Sequence, residues 1–268
     1  MQDPEADLNL RTNAPCWYYS YALFKILKVV VKESNCDCIA LSGGIDSSTV
    51  LAAAISEGIK PRGYASVYRN GLPKDIAFLN YISKLFNLEV KYVFIDDQDI
   101  EGLRKSIVEC IGEEKLNSHE DGGCIEFRND AVFYSVIRKA KEDGCKCIYT
   151  GSGGDEIFAG YSFLLSKESD ELDLSIKKLA YGRFPELEIA ECLKMRAIAP
   201  FLDNRLRSFA LSIPVNCLRS NEMKGKDVLR EILRGVGLKL IAERAKVPAE
   251  SGSGTRSMCT SPLDEYRE

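Results

Sequence analysis

The sequence predicts an α/β protein with a doubly wound parallel sheet, followed by a helical C-terminal region. Two observations support this prediction. Short apolar runs alternate with helix-like stretches from about residue 35 to residue 165, which is the pattern of repeated β-α units. Turns rich in glycine and serine directly follow two of these runs, beginning at Ser42 and at Gly151, as expected where a strand ends and a helix begins.

Hydrophobic periodicity and cap residues predict each element of the first 150 residues. Tyr19, Leu23 and Leu27 follow a period near 3.6 residues, which is typical of a helix. A serine start at Ser47 and a glycine stop at Gly58 enclose an alanine-rich helix. In chain order the predicted elements are helix 16–34, strand 38–42, helix 47–57, strand 62–68, helix 75–86, strand 90–96, helix 99–112, helix 126–144 and strand 145–150.

Residues after Phe163 show no further strand pattern. The stretches 171–180 and 227–236 predict helices, and we expect this region to pack on the carboxyl edge of the sheet. The tail 248–268 is rich in glycine and serine, so we expect it to be mobile unless a ligand orders it. The expected organisation is an N-terminal helical extension (1–34), an α/β core (35–165) and a helical region with a mobile tail (166–268).

Length, composition and net charge limit the classes of protein to which this chain can belong. With 268 residues, 45% of them hydrophobic, the chain can bury the core of one compact unit. Its net charge of −4 and pI near 5.4 argue against nucleic acid as a partner. The start "MQDPEADLNLRTN" lacks a secretion-signal pattern, and the longest apolar runs are too short and too charged to span a bilayer. We therefore expect a cytoplasmic protein without a membrane partner.

Ten cysteines are unusual for a chain expected in a reducing compartment. Cys36 and Cys38 open one predicted strand, Cys145 and Cys147 another, and period-two alternation should turn both thiols of each pair to one face. Because the spacing is not that of a zinc site, we expect thiols packed in the core rather than disulfides or a metal site. Packing is likewise the expected role of Cys124, rather than nucleophilic catalysis.

The stretch "IALSGGIDSSTV", Ile39 to Val50, joins a strand to a helix through small polar residues. Ser42, Gly43 and Gly44 would offer unobstructed backbone N–H groups to an anion, and Ser47 and Ser48 would add hydroxyl donors at the helix start. Neither the Walker pattern GxxxxGK[ST] nor GxGxxG is present, so the P-loop and dinucleotide classes are excluded. The stretch predicts an anion cradle.

Each small-residue turn also carries acidic residues. A carboxylate at Asp46 would repel a bound phosphate unless a divalent cation lay between them, so we interpret Asp46 as a magnesium ligand. The turn "GSGGDEIFAGY" repeats this arrangement, with open backbone at Gly151 and a carboxylate at Asp155. For either turn alone, a plain glycine turn with a solvated or capping aspartate is an equal alternative. The occurrence of both favours one site for a metal and pyrophosphate.

These motifs resemble those of a known family. "LSGGIDSS" resembles the pyrophosphate loop of the ATP pyrophosphatases, in the adenine nucleotide alpha hydrolase-like superfamily. "GDEIFAGY", "PFLD", "KDVLRE" and "AKVPAESGSG" are similar, in the same order, to the synthetase domain of asparagine synthetase. The resemblance covers roughly residues 35–255. It implies cleavage of ATP between its α and β phosphates, with adenylation of a carboxylate or carbonyl.

The resemblance also implies roles for individual residues. Asp46 and Asp155 would hold Mg²⁺, and Lys226 and Lys246 would contact phosphates, Lys246 acting on the transition state. Negative charge builds on the bridging oxygen as pyrophosphate leaves, which is why the chemistry needs an ammonium there. The residues implied in nucleotide binding are Leu41 and Val67 at the adenine, Ser42, Gly43, Gly44, Asp46, Ser47, Ser48 and Asp75 at the phosphates, and Gly151 beside the acyl phosphate, with Arg128 matching a family arginine.

The chain departs from the family at positions that bear on the substrate. Ser152 stands where the family usually has a glutamate thought to help ammonia lose its proton, and a serine hydroxyl is a poor base. Arg196 and Ile198 stand where the family tends to have Glu and Arg. Residue 2 is Gln2, not the cysteine of a glutaminase domain, so we expect nitrogen from free ammonia, another amine or a separate glutaminase subunit.

The leading hypothesis is an ATP-dependent, AMP-forming carboxylate–amine ligase, with aspartate and ammonia as the default substrates. One alternative is a sulfur-transferring or tRNA-modifying member of the superfamily, against which the acidic pI argues. Another is a non-catalytic nucleotide-binding partner protein, suggested by Ser152. The expected cofactors are ATP and Mg²⁺, and a homodimer is left open. The single histidine, His119, lies in a polar loop and is expected to be solvated.

Overall fold

A computed structural model describes residues 14–117, 121, 123–219 and 224–259. In these ranges five strands form one sheet: β1 Cys38–Ala40, β2 Arg62–Tyr68, β3 Val90–Ile95, β4 Cys147–Tyr149 and β5 Arg196–Ile198. The helices of the first half are α1 Cys16–Ser34, α2 Ile45–Ser56, α3 Ile76–Phe86, α4 Ile100–Ile111, α5 Glu113–Leu116 and α6 Cys124–Glu142. Those that follow are α7 Gly154–Ile157, α8 Ser162–Leu165, α9 Ser169–Leu179, α10 Pro185–Cys192, α11 Asn204–Ala210, α12 Asp227–Gly235, α13 Lys239–Ala242 and α14 Ala249–Ser253.

All strand pairs in the sheet are parallel, and the strand order is β3-β2-β1-β4-β5. In register, Cys38 pairs with Arg62 on one side and with Ile148 on the other. The predicted parallel α/β fold is therefore confirmed. The expectation of no strand after Phe163 is wrong, because β5 pairs with β4. β5 has only three residues and begins with the exposed Arg196, so it lacks the apolar run by which a buried strand is predicted.

Helices cover both faces of the sheet, which makes it doubly wound. One face packs on α1, α2, α3 and several C-terminal helices, with Leu23, Leu27 and Leu51 fully buried. The opposite face packs on α4, α6 and α10, with Ile107 and Ile137 fully buried. Among the described helices, none is both long and apolar enough to cross a bilayer.

Five disulfides join the ten cysteines, so the expectation of core thiols is wrong. Cys36 bonds to Cys147 in one core, whereas Cys38 bonds to Cys145 in the core on the other face. The two cysteines of each pair do not share a face, because β1 begins only at Cys38 and β4 only at Cys147. Chain bends at residues 37 and 146 end the alternation before it reaches the first cysteine.

The remaining disulfides are Cys16–Cys217, Cys110–Cys192 and Cys124–Cys259. Cys124 therefore has no free thiol to act as a nucleophile. Disulfides are typical of oxidising compartments and of the cytosol of hyperthermophiles. The cytoplasmic location thus stays a prediction.

The C-terminal segment folds back onto α6. Residues 249–258 form α14 and a 3-10 turn, in which Ser253 and Thr255 are buried. The hydroxyl of Thr255 donates a hydrogen bond to the carbonyl of Arg128 at 3.0 Å, and Cys259 is tied to Cys124. The rest of the tail, 260–268, and His119 lie outside the described residues. Mobility of the tail stays a prediction.

Candidate active site

The two small-residue turns follow β1 and β4, which are neighbours at the centre of the sheet. The chain proceeds outward from β1 to β3 on one side and from β4 to β5 on the other, so the order reverses at this pair. The carboxyl ends of strands at such a switch point form the crevice where open α/β sheets bind ligands. Both turns therefore lie where the topology favours a binding site.

The loop after β1 exposes backbone N–H groups at the start of α2. Gly43 has a φ of +67°, and a Cβ there would lie 2.9 Å from Cβ of Phe78, so glycine is required for both reasons. The Ser42 hydroxyl accepts the N–H of Gly44 at 3.2 Å, and the Ser47 hydroxyl accepts the N–H of Ser42 at 3.3 Å. The loop is thus held by its own serines at the positive end of a helix, where anions bind.

Two polar atoms at this loop are buried without a hydrogen-bond partner in the described ranges: Oγ of Ser48 and Oδ1 of Asp46. Buried polar atoms in folded proteins are nearly always hydrogen bonded. Both atoms are therefore suited to bind a ligand or an ion at this loop.

The loop after β4 touches the first loop closely. A Cβ on Gly151 would lie 2.9 Å from Cβ of Asp46 and 3.0 Å from the backbone nitrogen of Ser47. A Cβ on Gly154 would overlap the Asp46 carboxylate. Glycines in the second loop thus allow the acidic residue of the first loop to approach it.

Four charged side chains meet between the loops. Lys226 Nζ lies 2.5 Å from Asp46 Oδ2 and 2.7 Å from Asp155 Oδ1. Lys246 Nζ lies 2.8 Å from Asp155 Oδ1 and 4.0 Å from the ring centre of Tyr161. The structure therefore brings together all four predicted catalytic residues.

The position of Lys226 depends on the local backbone. Lys226 has a φ of +58° at the N-cap of α12, and its N–H donates to the carbonyl of Phe158 at 2.9 Å. Gly160 lies so close to this lysine and to Asp155 that a Cβ there would overlap both. The side chain of Lys226 is only 6% exposed, so its charge needs the two carboxylates.

Burial and the nearby lysine charges shift the pKa values of Asp46 and Asp155 in opposite directions. Burial raises the pKa of Asp46, and the nearby ammonium of Lys226 only partly offsets this. Burial also raises the pKa of Asp155, but Lys226 and Lys246 together outweigh it and lower that pKa to about 2. Although burial favours the neutral amine, Asp155 and Asp46 hold the pKa of Lys226 above its ordinary value. The two carboxylates thus keep Lys226 charged.

The acidic residues fit a magnesium ion. Mg²⁺ prefers carboxylate and phosphate oxygens. Asp46 and Asp155 converge on one point, and Asp46 Oδ1 has no hydrogen-bond partner in the described part of the chain. These are the two residues that would hold the ion.

Asp75 lies at the edge of the first loop, bound by an arginine that the sequence did not suggest. Arg244 Nη2 lies 2.5 Å from Asp75 Oδ1, and Arg244 Nη1 donates to the carbonyl of Ser42 at 3.3 Å. Burial raises the pKa of Asp75 to about 6, with Arg244 opposing the shift. The Asp75 N–H donates to the carbonyl of Gly252, which brings the C-terminal segment to the loop.

The remaining predicted residues lie in the core nearby. Leu41 and Val67 are buried at the ends of β1 and β2, and Arg128 is 1% exposed, with Nη2 donating to the carbonyl of Cys259. Contact with adenine or phosphate stays a prediction for these residues. Sequence reasoning missed Arg244, Asp130 and Glu186, because charged residues in helices and polar stretches are usually solvated and only the fold shows that these three are buried.

The fold and site define a class: parallel α/β proteins with a glycine-rich loop at a helix start, and with paired aspartates and lysines, at the switch point of the sheet. The chain belongs to the asparagine synthase family, whose model matches residues 38–191 and 188–268. This membership confirms the resemblance seen in the sequence motifs.

Three relatives that carry the name asparagine synthetase (glutamine-hydrolyzing) are similar to this chain. That of Methanocaldococcus jannaschii is 26% identical over 272 residues, covering 85% of this chain and 48% of the relative. That of Schizosaccharomyces pombe is 25% identical over 221 residues, covering 72% of this chain and 38% of the relative. That of Zea mays is 25% identical over 209 residues, covering 69% of this chain and 33% of the relative. The chain thus spans about half or less of the length of these relatives.

Proposed function

We propose that this chain is an ATP-dependent ligase that adenylates a carboxylate, by default that of aspartate, and transfers the acyl group to ammonia or another amine. A carboxylate oxygen attacks the α-phosphorus, the bond from that phosphorus to the bridging oxygen breaks, and pyrophosphate leaves. The amine nitrogen then attacks the acyl carbon and loses a proton, while the carbon–oxygen bond to AMP breaks. Membership of the asparagine synthase family supports this reaction class.

The convergence of Asp46, Asp155, Lys226 and Lys246 on one point is the observation that carries the proposal. The N–H groups at the start of α2 would bind the β- and γ-phosphates. The two ammonium groups would stabilise the charge that builds on departing pyrophosphate. A magnesium ion held by the two aspartates would neutralise phosphate charge.

The exposed position of Lys246 distinguishes its role from that of Lys226. Its side chain is 30% exposed and contacts the face of Tyr161, whereas Lys226 is enclosed. We therefore assign the transition-state contact to Lys246 and the organisation of the aspartates to Lys226.

Pyrophosphate release from ATP and Mg²⁺, measured across amino-acid carboxylates with and without ammonium, tests the proposal. We expect AMP and pyrophosphate formation that requires a carboxylate, aspartate first, and that Asp46→Ala abolishes while the circular dichroism spectrum is unchanged. Glu33→Ala, at an exposed acidic residue of α1, is the matched control. Stimulation only by tRNA and a sulfur donor would favour the sulfur-transfer alternative. Nucleotide binding without turnover would favour a non-catalytic protein.

A further inference from the structure

Arg230 lies in α12 and is a buried cation whose hydrogen bonds go to backbone carbonyls. The residue is 2% exposed. Its Nε donates to the carbonyl of Gly225 at 2.9 Å, and its Nη2 donates to that of Lys224 at 3.4 Å. Its Nη1 donates to the carbonyls of Ala242 at 2.5 Å and of Arg244 at 3.0 Å. One guanidinium group therefore joins two separate segments of the chain.

These two segments carry the two lysines of the candidate active site. Residues 224–226 end at Lys226, and residues 242–246 end at Lys246. We refer to these two stretches as the lysine segments. Both lysines contact Asp155, so the position of one segment relative to the other decides whether the two ammonium groups meet there. The guanidinium group binds the backbone of both segments.

The local backbone explains why the lysine segments need a donor from elsewhere. Gly225 and Lys226 both have a positive φ, of +65° and +58°, and lie before the first turn of α12. Ala242 ends α13, so its carbonyl has no partner within that helix. Buried carbonyls in such irregular stretches must be paired with other groups. The planar fork of an arginine offers five N–H donors in fixed directions, which lets one side chain bind several carbonyls and fix the angle between them.

The next arginine of the same helix shows that this arrangement is particular to Arg230. Arg234 follows one turn later, and its side chain is 37% exposed. It binds the carboxylates of Glu243 at 2.8 Å and Glu231 at 3.3 Å. Arg234 thus forms surface ion pairs, whereas Arg230 binds the backbone next to the site.

We propose that Arg230 is a positioning residue, which fixes the two lysine segments to each other and thereby places Lys226 and Lys246 together at Asp155. The inference rests on the proposed function, because it assigns to Arg230 an effect on the rate that acts through those lysines. A displacement of about 1 Å at a reacting group can lower a rate by about 10²-fold. Loss of the arginine fork should therefore slow the reaction even where the protein remains folded.

The first test is a double-mutant cycle on the rate of carboxylate-dependent pyrophosphate release. Arg230→Lys keeps the positive charge and removes the planar fork, and we expect it to lower kcat by at least about tenfold. Arg234→Lys makes the same chemical change on the exposed side of the helix and should leave kcat unchanged.

The cycle is completed by Lys246→Met, made in the natural protein and in Arg230→Lys. In the natural protein this substitution should cost about 10²- to 10³-fold in rate. In Arg230→Lys it should cost less than a further tenfold or so, because a displaced ammonium has already lost its contact. A general loss of structure would leave the two effects independent. An equal cost of Lys246→Met in both backgrounds, or a kcat of Arg230→Lys within twofold of the natural value, would overturn the inference.

The second test needs no turnover and measures amide hydrogen exchange without nucleotide. The Lys226 N–H donates to the carbonyl of Phe158 and the Arg244 N–H to that of Ile241, so each amide reports on one lysine segment. If one guanidinium joins the segments, they should open together, and their protection factors should agree within about tenfold. Arg230→Lys should lower both by at least about tenfold and leave the amides of α4 unchanged.

A larger difference between the two amides of the natural protein would overturn the inference, as would a variant in which both keep their protection. If Arg230→Lys does not fold, the comparison within the natural protein decides the question. Absence of pyrophosphate release from the natural protein would contradict the proposed function, and the exchange test would then decide whether Arg230 joins the two segments.

Discussion

Lys226 Nζ lies 2.5 Å from Asp46 Oδ2, although 180 residues separate the two in the chain. The same nitrogen contacts Asp155, so one ammonium neutralises carboxylates from both loops. The pair thereby joins the C-terminal helical region to the two strands at the centre of the sheet.

Removal of the Lys226 charge should destabilise the protein. Lys226→Met leaves two largely enclosed carboxylates with one cation fewer, and breaking such an ion pair costs about 3 kcal/mol. The free energy of unfolding from urea titration measures the loss. Lys239→Met, at an exposed lysine of α13, should change it little. Equal stabilities for the natural protein and Lys226→Met would show that this ion pair does not hold the loops together.

Lys246 should affect rate more than stability. Its ammonium is 30% exposed, and Asp155 keeps Lys226 as a partner when Lys246 is replaced. We expect Lys246→Met to lower the rate of pyrophosphate release by about 10²- to 10³-fold, as for loss of one group that stabilises transition-state charge. The melting temperature should stay nearly unchanged. A rate within twofold of that of the natural protein would rule out a transition-state contact.

The close approach of the two loops predicts the effect of one methyl group. A Cβ at Gly151 would press on Asp46 and on the backbone of Ser47, so Gly151→Ala should lower stability by about 1–3 kcal/mol and weaken ATP binding. Gly102→Ala is the control, because nothing lies within 4 Å of a Cβ there. Gly102 lies in the first turn of α4, so alanine there should leave stability unchanged or raise it slightly, because alanine loses less backbone entropy than glycine on folding. Urea titration measures the free energy of unfolding of each variant, and calorimetry measures its affinity for ATP. Similar values for Gly151→Ala and Gly102→Ala would contradict the close contact between the two loops.

Asp130 should make stability depend on pH. Its pKa is about 8 in the folded protein against about 3.9 in the unfolded chain, so its contribution is complete below pH 4 and is lost as pH rises through 8. Asp130→Asn replaces the carboxyl group with an amide that does not ionise, so the variant does not lose this stability as the pH rises. The stability of the variant relative to the natural protein should therefore rise between pH 4 and pH 8, with a slope of at most about 1.4 kcal/mol per pH unit.

Denaturant unfolding at intervals across that range measures the difference, with Glu142→Gln as the control. A relative stability of Asp130→Asn that falls with pH would mean that the carboxylate is stabilised by the fold. That result would contradict its burial without a partner.

The Cys124–Cys259 disulfide should hold the C-terminal segment at the first loop. It closes a separation of 135 residues, and loss of a bridge of this length costs about 2–5 kcal/mol. We expect Cys124→Ser with Cys259→Ser to lower the melting temperature and to raise the rate of amide hydrogen exchange at 249–258. Alkylation of the unfolded, unreduced natural protein should find no free thiol. Unchanged exchange in the variant would show that packing alone fixes the segment.

The sequence predicted those features that depend on neighbours in the chain. β2 lies at the predicted bounds because its apolar run is long, and the two loops followed from glycines and serines after apolar runs. Features that depend on contacts between distant residues were missed. β5 is visible only as a partner of β4, and the disulfides depend on which strands adjoin and where each begins.

The same distinction applies to the site. Asp46 and Asp155 were identified from their turns, whereas the partnership of Arg244 with Asp75 required the fold. Glu186 has no signal of its own in the sequence, because an acidic residue in the first turn of a helix normally faces water. Its burial follows from the packing of α10 on α6.

The crossed bridges Cys36–Cys147 and Cys38–Cys145 lie at the amino ends of β1 and β4, opposite to the edge that carries the loops. One disulfide lies in the core on each face of the sheet, and together they join the two central strands covalently near their amino ends. The strands therefore cannot slide or move apart there. Any opening of the site that admits a triphosphate must therefore come from movement of the two loops and of the segments packed over them. These would move relative to strands that are joined at their amino ends.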